Sequence, residues 1–206
     1  MEPPMNRPDL NYVKRELQAS VAVKQAVLGD STLVQLITDT GQLLIRAYEA
    51  GHKLLIAGNG GSAADAQHIA AEFVGRFNFD RPGLPALALT TDSSVMTSLS
   101  NDYGYEKVFS RQVEVHGAAG DVFLGISTSG NSANVLEAVL AAQSRGLVTI
   151  GLTGQAGGKL HDLCDHCICV PSNDTPRVQE AHMLIGHTLC AMAELAIFGE
   201  GIKPGR

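Results

Sequence analysis

Five short apolar segments, separated by stretches with helical spacing, are the feature of this chain that most limits its fold. The apolar segments cover residues 53–58, 85–91, 121–127, 147–153 and 166–171. The helical stretches cover 62–77, 92–116 with a break near Asp102, 132–146 and 176–198. Continuous apolar strands joined by helices are typical of parallel sheets that are buried on both faces. The pattern therefore predicts an α/β fold, a doubly wound five-stranded parallel sheet flanked by helices.

Two more helices are predicted before the first strand. Residues 10–28 and 31–51 carry apolar side chains at helical spacing. A first helix that cannot bury both faces within its own chain is a natural contact between subunits. Residues 1–206 are expected to form one domain, in which 1–51 make an N-terminal helical extension and 52–206 the α/β core.

Charge and hydropathy narrow the class of protein. The net charge of −6 argues against a nucleic-acid-binding surface, since such surfaces are usually basic. No run of about 18 apolar residues is present, so no membrane span is expected. Residues 1–11 contain three prolines and lack the apolar core of a signal peptide, so the cytoplasm is the expected location.

Three of the four cysteines lie close together in the C-terminal third. Cys164, Cys167 and Cys169 fall within six residues, with His161 and His166 nearby. The Cys-x-x-Cys spacing allows a zinc site, but no second such pair is present to close it. The alternation in C-I-C-V favours a buried strand with cysteine as a small apolar side chain.

A glycine-rich turn follows the first predicted strand and leads into a helix with two ligand-type side chains. In Gly58-Asn59-Gly60-Gly61-Ser62 the glycines let backbone amides approach an anion or a sugar oxygen. His68 and Glu72 lie four positions apart on the following helix and so share one face. They are suited to binding one divalent ion, although Glu72 alone also fits a surface pair with Arg76.

Hydroxyl side chains crowd the turn after the third predicted strand, in Ser127-Thr128-Ser129-Gly130-Asn131-Ser132. A predicted helix begins at the end of this turn. Backbone amides, hydroxyl groups and the helix dipole together suit a phosphate monoester. The alternative is that Ser129 or Ser132 only caps the helix, for which one hydroxyl would suffice.

Four segments together resemble the sugar isomerase (SIS) domain family. S-T-S-G-N-S-A-N from Ser127 is similar to the SIS motif, and G-N-G-G-S-A-A-D-A-Q-H-I-A-A-E from Gly58 resembles the phosphoheptose isomerase branch of that family. N-D-Y-G-Y-E at 101–106 and R-V-Q-E-A-H-M-L-I-G-H at 177–187 complete the resemblance. It covers nearly the whole chain, with the four motifs in the right order.

The resemblance implies an intramolecular oxidoreductase, an aldose–ketose isomerase of bacterial heptose biosynthesis. Its reaction converts sedoheptulose 7-phosphate into D-glycero-D-manno-heptose 7-phosphate, which supplies heptose for surface polysaccharides such as lipopolysaccharide. Proton transfer between C1 and C2 through an enediol needs a base near both carbons and a group that handles hydroxyl protons. Glu72 and His187 occupy the matching positions and are the expected acid/base pair, in either order. By periodicity alone, His187 also fits a buried core histidine.

The resemblance also implies a metal site and a set of substrate contacts. One Zn²⁺ per subunit is expected, bound by His68, Glu72, Gln179 and His187, whose N and O donors suit zinc. Gln179 and His187 lie about 12 Å apart along a helix, so both reach one ion only if their side chains converge or come from different subunits. The expected substrate contacts are Asn59, Gly60, Gly61, Glu72, Asn101, Asp102, Ser127, Thr128, Ser129, Ser132 and Gln179.

Members of this family form tetramers with sites between subunits, so the resemblance implies a homotetramer acting on a sugar phosphate. Three alternatives stay open. One is a non-catalytic SIS scaffold that binds the replication initiator protein, and the others are a regulatory sugar-phosphate sensor and an aminosugar phosphate isomerase. Glu72, Gln179 and His187 together favour the enzyme over the scaffold. Asp65 occupies a further motif position, where it either tunes His68 or Glu72 or compensates the helix dipole.

Overall fold

The computed structural model describes residues 8–199, so the predictions for 1–7 and 200–206 lie outside the described residues. The helices of this range are α1 (Leu10–Gly29), α2 (Ser31–Glu49), α3 (Gly61–Val74), α4 (Ser93–Tyr103), α5 (Ser110–His116), α6 (Ala133–Ser144), α7 (Gly158–Leu163) and α8 (Thr175–Phe198). The strands are β1 (Leu54–Gly58), β2 (Ala86–Ala88), β3 (Val122–Ile126), β4 (Val148–Thr153) and β5 (His166–Cys169).

The five strands form one parallel sheet in the order β2-β1-β3-β4-β5, which confirms the predicted fold class. β1 and β3 are neighbours, with Leu54 opposite Val122 and Gly58 opposite Ile126. Their carboxyl ends therefore lie side by side, at the point where the strand order reverses. Ligands of doubly wound sheets bind in the crevice at such a point. The glycine-rich turn after β1 and the hydroxyl-rich turn after β3 both open into it.

Alternate side chains of the buried strands pack into two apolar layers. Leu54 and Ile56 of β1 contact the layer that contains α2, α3 and α8, whereas Leu55 and Ala57 contact the layer with α5 and α6. All four side chains are buried. Burial on both faces explains why the strands are continuous apolar runs in the sequence.

The structure differs from the predicted elements at β2, α3 and α7. The strand predicted over 85–91 is limited to Ala86–Ala88. The helix predicted over 62–77 ends at Val74, with Gly75 as its C-cap. The break predicted near Asp102 within 92–116 is confirmed, because α4 ends at Tyr103, one residue after Asp102. Gly104 follows with a φ of 89°, a left-handed conformation accessible to glycine, and precedes a 3₁₀ turn at Tyr105–Lys107. α7 was not predicted.

α8 corrects the expectation that no segment is apolar and long enough to cross a membrane. By length and composition it passes that test, with a mean hydropathy of 1.4 over 18 residues. It packs against α2 and α3, and its Val178, Ile185 and Leu189 are buried in the apolar layer there. These contacts are those of a central core helix.

Candidate active site and metal centre

Three side chains from two helices meet where α3 packs against α8. His68 and Glu72 lie one turn apart on α3, and Nε2 of His68 is 3.2 Å from Oε1 of Glu72. His187 reaches them from α8, with its Nε2 3.0 Å from Nε2 of His68. One ligand atom from each residue lies within 4.8 Å of the others. The predicted acid/base residues Glu72 and His187 therefore share one cluster, although 115 positions separate them in the sequence.

The cluster fits a divalent metal ion. Ligand atoms bound at about 2.0–2.1 Å to one tetrahedral ion lie roughly 3.3 Å apart, close to the observed separations. Two imidazole nitrogens and a carboxylate oxygen match the three-ligand catalytic zinc sites, which keep one position open for substrate. Within residues 8–199 this is the one group of three or more His, Cys, Asp or Glu side chains that converges in this way.

Gln179, the fourth expected ligand, lies in the first turns of α8, and its side-chain amide packs against Gly61 at the start of α3. A β-carbon placed on Gly61 would collide with the Gln179 side-chain amide, so the two residues are in close contact. His68 is seven residues further along α3, about 10 Å by helix rise. Gln179 thus lies with the glycine-rich turn, and its binding to the same ion stays a prediction.

An open cleft of about 640 Å³ connects Gln179 to His187 and is also lined by Asp65. Asp65 is 8% exposed, and one of its carboxylate oxygens has no hydrogen-bond partner in the described chain. Burial raises the pKa of Asp65 to about 6, against the opposing effect of nearby His68. A carboxyl group that exchanges its proton near neutral pH beside a cleft is typical of functional sites.

The side chains of the hydroxyl-rich turn bond to one another and do not cap α6. Ser132 precedes α6 but its side chain makes no capping bond, and its Oγ lies 2.9 Å from Oγ of Ser127. The first amides of α6 therefore have no side-chain partner, as expected where a ligand satisfies them. Oγ of Ser129 accepts from the Asn131 amide and lies 3.5 Å from Oγ of Ser127. The amide of Gly154 binds the Thr128 carbonyl, which fixes the turn against the end of β4.

A pair of asparagines connects the two turns. Asn59 and Asn134 exchange two side-chain hydrogen bonds of 2.8 Å each, and the Tyr105 hydroxyl donates to Oδ1 of Asn59 at 3.1 Å. Asn101 and Asp102 lie just before Tyr105 at the end of α4, where the Asn101 amide donates to Asp102. This segment therefore borders the glycine-rich turn.

The sequence interpretation missed four residues of this region. Asn134 and Tyr105 lie inside the quoted motifs but received no role. Arg81 forms an almost fully buried ion pair with Glu194 behind α3. The one signal for this pair was a single carboxylate in the otherwise apolar end of α8, A-M-A-E-L-A-I-F.

The cysteine segment forms strand β5, as predicted, but its buried side chain is Ile168, and Cys167 and Cys169 are only half-buried. All four cysteines are free thiols, and burial is the main cause that raises the pKa of Cys164 to about 12. In the part of the chain that the structure describes, these thiols do not join a group of three converging ligands.

Comparisons with known proteins agree with the sequence motifs. The model of the SIS domain family matches residues 22–154. A phosphoheptose isomerase of Aneurinibacillus thermoaerophilus is 56% identical over 188 residues, which are 91% of this chain and 95% of that protein. Phosphoheptose isomerase 2 of Campylobacter jejuni is 54% identical over 193 residues, 94% of this chain and 96% of its own.

The same family is found among solved structures. The phosphoheptose isomerase of Neisseria gonorrhoeae superposes with a TM-score of 0.84 at 44% identity, over 89% of this chain and 97% of that one. That of Francisella tularensis gives a TM-score of 0.86 at 34% identity, over 91% and 98%. This chain therefore belongs to the phosphoheptose isomerases of the SIS domain family.

Proposed function

We propose that Glu72 and His187 are the acid/base pair with which this chain converts sedoheptulose 7-phosphate into D-glycero-D-manno-heptose 7-phosphate. The chain is an aldose–ketose isomerase with a sugar-phosphate substrate, as its identity of 50–56% to named phosphoheptose isomerases supports. The observation that carries the residue assignment is the convergence of Glu72, His68 and His187 beside the crevice. None of the relatives described above is a scaffold protein by name.

The two turns at the crevice give the substrate an orientation. The hydroxyls of Ser127, Thr128, Ser129 and Ser132 bind the phosphate, together with the free amides of α6. The carbonyl end then lies toward Glu72 and His187. The backbone of Gly60 and Gly61 and the side chains of Asn59, Asn101, Asp102 and Gln179 bind the sugar hydroxyls between them.

Proton transfer follows from this placement. One of the pair removes the proton from the carbon next to the carbonyl, and the enediol is reprotonated on the neighbouring carbon. One carboxylate oxygen of Glu72 faces Nε2 of His68, and the other is left for the proton. Asp65, with a pKa of about 6, is placed to exchange hydroxyl protons from the cleft.

We also propose that the ion is zinc, one per subunit, bound by His68, Glu72 and His187 with Gln179 as a fourth ligand. Zinc bound there supplies Lewis-acid polarisation of the substrate oxygens. The chemistry of the donors supports this assignment, because two imidazoles and a carboxylate are ordinary zinc ligands.

The assembly and location belong to the same proposal. Residues 1–206 form one domain, with 1–51 as a helical extension and 52–206 as the core, and the protein acts in the cytoplasm as a homotetramer with sites at subunit interfaces. A cleft of about 490 Å³ between α1, α2 and α8, lined mainly by apolar side chains, supports the tetramer. Leu28 and Val34 are exposed there.

The test is turnover of sedoheptulose 7-phosphate by purified protein, followed as formation of the aldose, with and without a chelator. Glu72→Gln removes the proton acceptor while keeping the size of the side chain. We expect kcat to fall by at least about 10²-fold, the usual contribution of a general base. Size-exclusion chromatography should give the same elution volume for the variant as for the wild type.

Glu114→Gln is the matched control, because Glu114 is an exposed helical glutamate paired only with Arg111. It should retain full turnover. Wild-type protein that shows no turnover with added Zn²⁺ would contradict the isomerase assignment and support the scaffold. Full activity of Glu72→Gln would remove Glu72 from the acid/base pair.

A further inference from the structure

We propose that the buried ion pair of Arg81 and Glu194 is a positioning device that holds Glu72 and His187 in the geometry needed for metal binding and catalysis. This inference rests on the proposed function, because it concerns residues that touch the acid/base and metal ligands without touching the substrate. The ion pair lies behind the cluster, and its side chains are 1% and 0% exposed.

Arg81 caps the end of α3 that carries Glu72. Its Nη2 donates to the Glu72 carbonyl at 2.9 Å, and its Nη1 donates to the Phe73 carbonyl at 2.8 Å and more weakly to Gly75. The last carbonyls of a helix have no partner within it, so a helix end without such donors is prone to fray. Glu72 lies in this last turn. The guanidinium therefore fixes the backbone of a residue whose side chain must be placed within a fraction of an ångström.

Glu194 fixes the other side of the cluster. Its two carboxylate oxygens accept from the amides of Phe77 at 2.8 Å and Asn78 at 2.6 Å. The Phe77 ring in turn packs against the His187 ring, with centroids 5.3 Å apart. Arg81 donates from Nε to Glu194 at 3.1 Å, which joins the two halves. One ion pair thus orients Glu72 through its carbonyl and His187 through an aromatic contact.

Stability alone is a weak reason for such a pair. A buried ion pair can often be replaced by apolar side chains of similar size at little cost, because removing both charges also removes the cost of desolvating them. Removing only one partner leaves an unpaired buried charge and is strongly destabilising. The double replacement is therefore the informative variant, since it separates folding from positioning.

The test compares the wild type with the double variant Arg81→Met/Glu194→Leu, both stripped of metal. Zn²⁺ alone is titrated by calorimetry, and kcat and KM for sedoheptulose 7-phosphate are measured after reloading. Residues that orient metal ligands typically contribute about 10- to 100-fold to metal affinity or activity. We expect a loss of this size in Zn²⁺ affinity and in kcat, with KM changed less, in protein whose circular dichroism is native.

The control is Arg111→Gln/Glu114→Gln, which removes an exposed ion pair on α5 and should change neither quantity. If the double variant is folded and binds Zn²⁺ as tightly as the wild type, the inference is overturned and the pair is only structural. If the double variant does not fold, Phe77→Leu takes its place, because it removes the ring from His187 and keeps the ion pair. Unchanged Zn²⁺ affinity and kcat in Phe77→Leu would likewise overturn the inference.

The wild-type measurements distinguish failure of the proposed function from failure of the inference about the ion pair. Wild-type protein that neither binds Zn²⁺ nor turns over the substrate would overturn the proposed function, and the inference with it. Wild-type protein that does both, beside a folded double variant that also does both, would overturn the inference alone.

Discussion

At the scale of single residues, Asn59 is held by its neighbours before any substrate arrives. Its side chain exchanges two hydrogen bonds with Asn134 and accepts a third from Tyr105. One amide hydrogen of the Asn59 side chain remains free for a sugar hydroxyl. If Asn59 binds the substrate as proposed, Asn134 acts through it, and we expect substitutions at the two positions to be non-additive.

We predict a coupling of about 1 kcal/mol or more between Asn59→Ala and Asn134→Ala, measured as kcat/KM in a double-mutant cycle. In the Asn59→Ala background, Asn134→Ala should cost little more. Tyr105→Phe removes a single hydrogen bond and should lower kcat/KM by only about fivefold. Fully additive losses would show that Asn134 acts independently of Asn59.

Side-chain pairings such as that of Asn59 with Asn134 could not be predicted from the sequence. Asn134 lies in a motif that predicted an anion site, but the motif does not say which member pairs with the other turn. Arg81 and Glu194 are 113 positions apart, and no local pattern relates them. Pairings of this kind depend on which helix packs behind which, and that is settled only by the folded chain.

At the scale of elements, α8 is connected to the end of β4 by a buried histidine. His182 is fully buried, and its Nε2 donates to the Thr153 carbonyl at 3.1 Å. Burial lowers the pKa of His182 to about 4. Because this pKa lies below the unfolded value near 6.5, the unfolded chain binds the extra proton more readily. The stability due to the neutral ring is complete above about pH 6.5 and is lost as the pH falls toward 4.

We therefore predict that His182→Gln reduces the pH dependence of stability. Between about pH 7.5 and pH 5 the wild type should lose about 2 kcal/mol of unfolding free energy through this group, and the variant should not. The glutamine amide can still donate to the Thr153 carbonyl. Urea denaturation at both pH values gives the comparison, and the same pH-dependent loss in both proteins would contradict the prediction.

Most elements were predictable because their patterns are strong. The five apolar runs and the helices between them gave the sheet and its neighbours, since parallel strands buried on both faces are short continuous apolar runs alternating with longer helical segments. α7 was missed because six residues after a glycine-rich stretch carry too little periodicity. α7 is held in place by a tertiary contact instead. The Leu160 amide donates to the Gly130 carbonyl and so holds the hydroxyl-rich turn.

At the scale of the whole molecule, the apolar groove between α1, α2 and α8 borders the candidate site. Lys24 and Leu184 line both this groove and the cleft that contains His187. A second copy of the chain seated in the groove would therefore close one wall of the site. Assembly would then affect activity, as the proposed site between subunits requires.

Leu28→Asp tests whether assembly through the groove affects activity. Leu28 is 77% exposed in the groove and does not line the cleft of the candidate site. A carboxylate buried in an apolar interface without a partner costs several kcal/mol, so the assembly should dissociate. Light scattering should show the wild type at about four times 21.7 kDa and the variant at a smaller mass. Val115→Asp, at a 73% exposed position on α5, is the control and should leave the mass unchanged.

The dissociated variant also separates metal binding from turnover. His68, Glu72 and His187 converge within one chain, so a single subunit has three ligands for the ion. We expect Leu28→Asp to retain Zn²⁺ in calorimetry but to lose most turnover of sedoheptulose 7-phosphate, because the wall supplied by the neighbouring copy is absent. Full turnover by a monodisperse single subunit would show that the site is complete without a neighbour, and the apolar groove would then need another occupant.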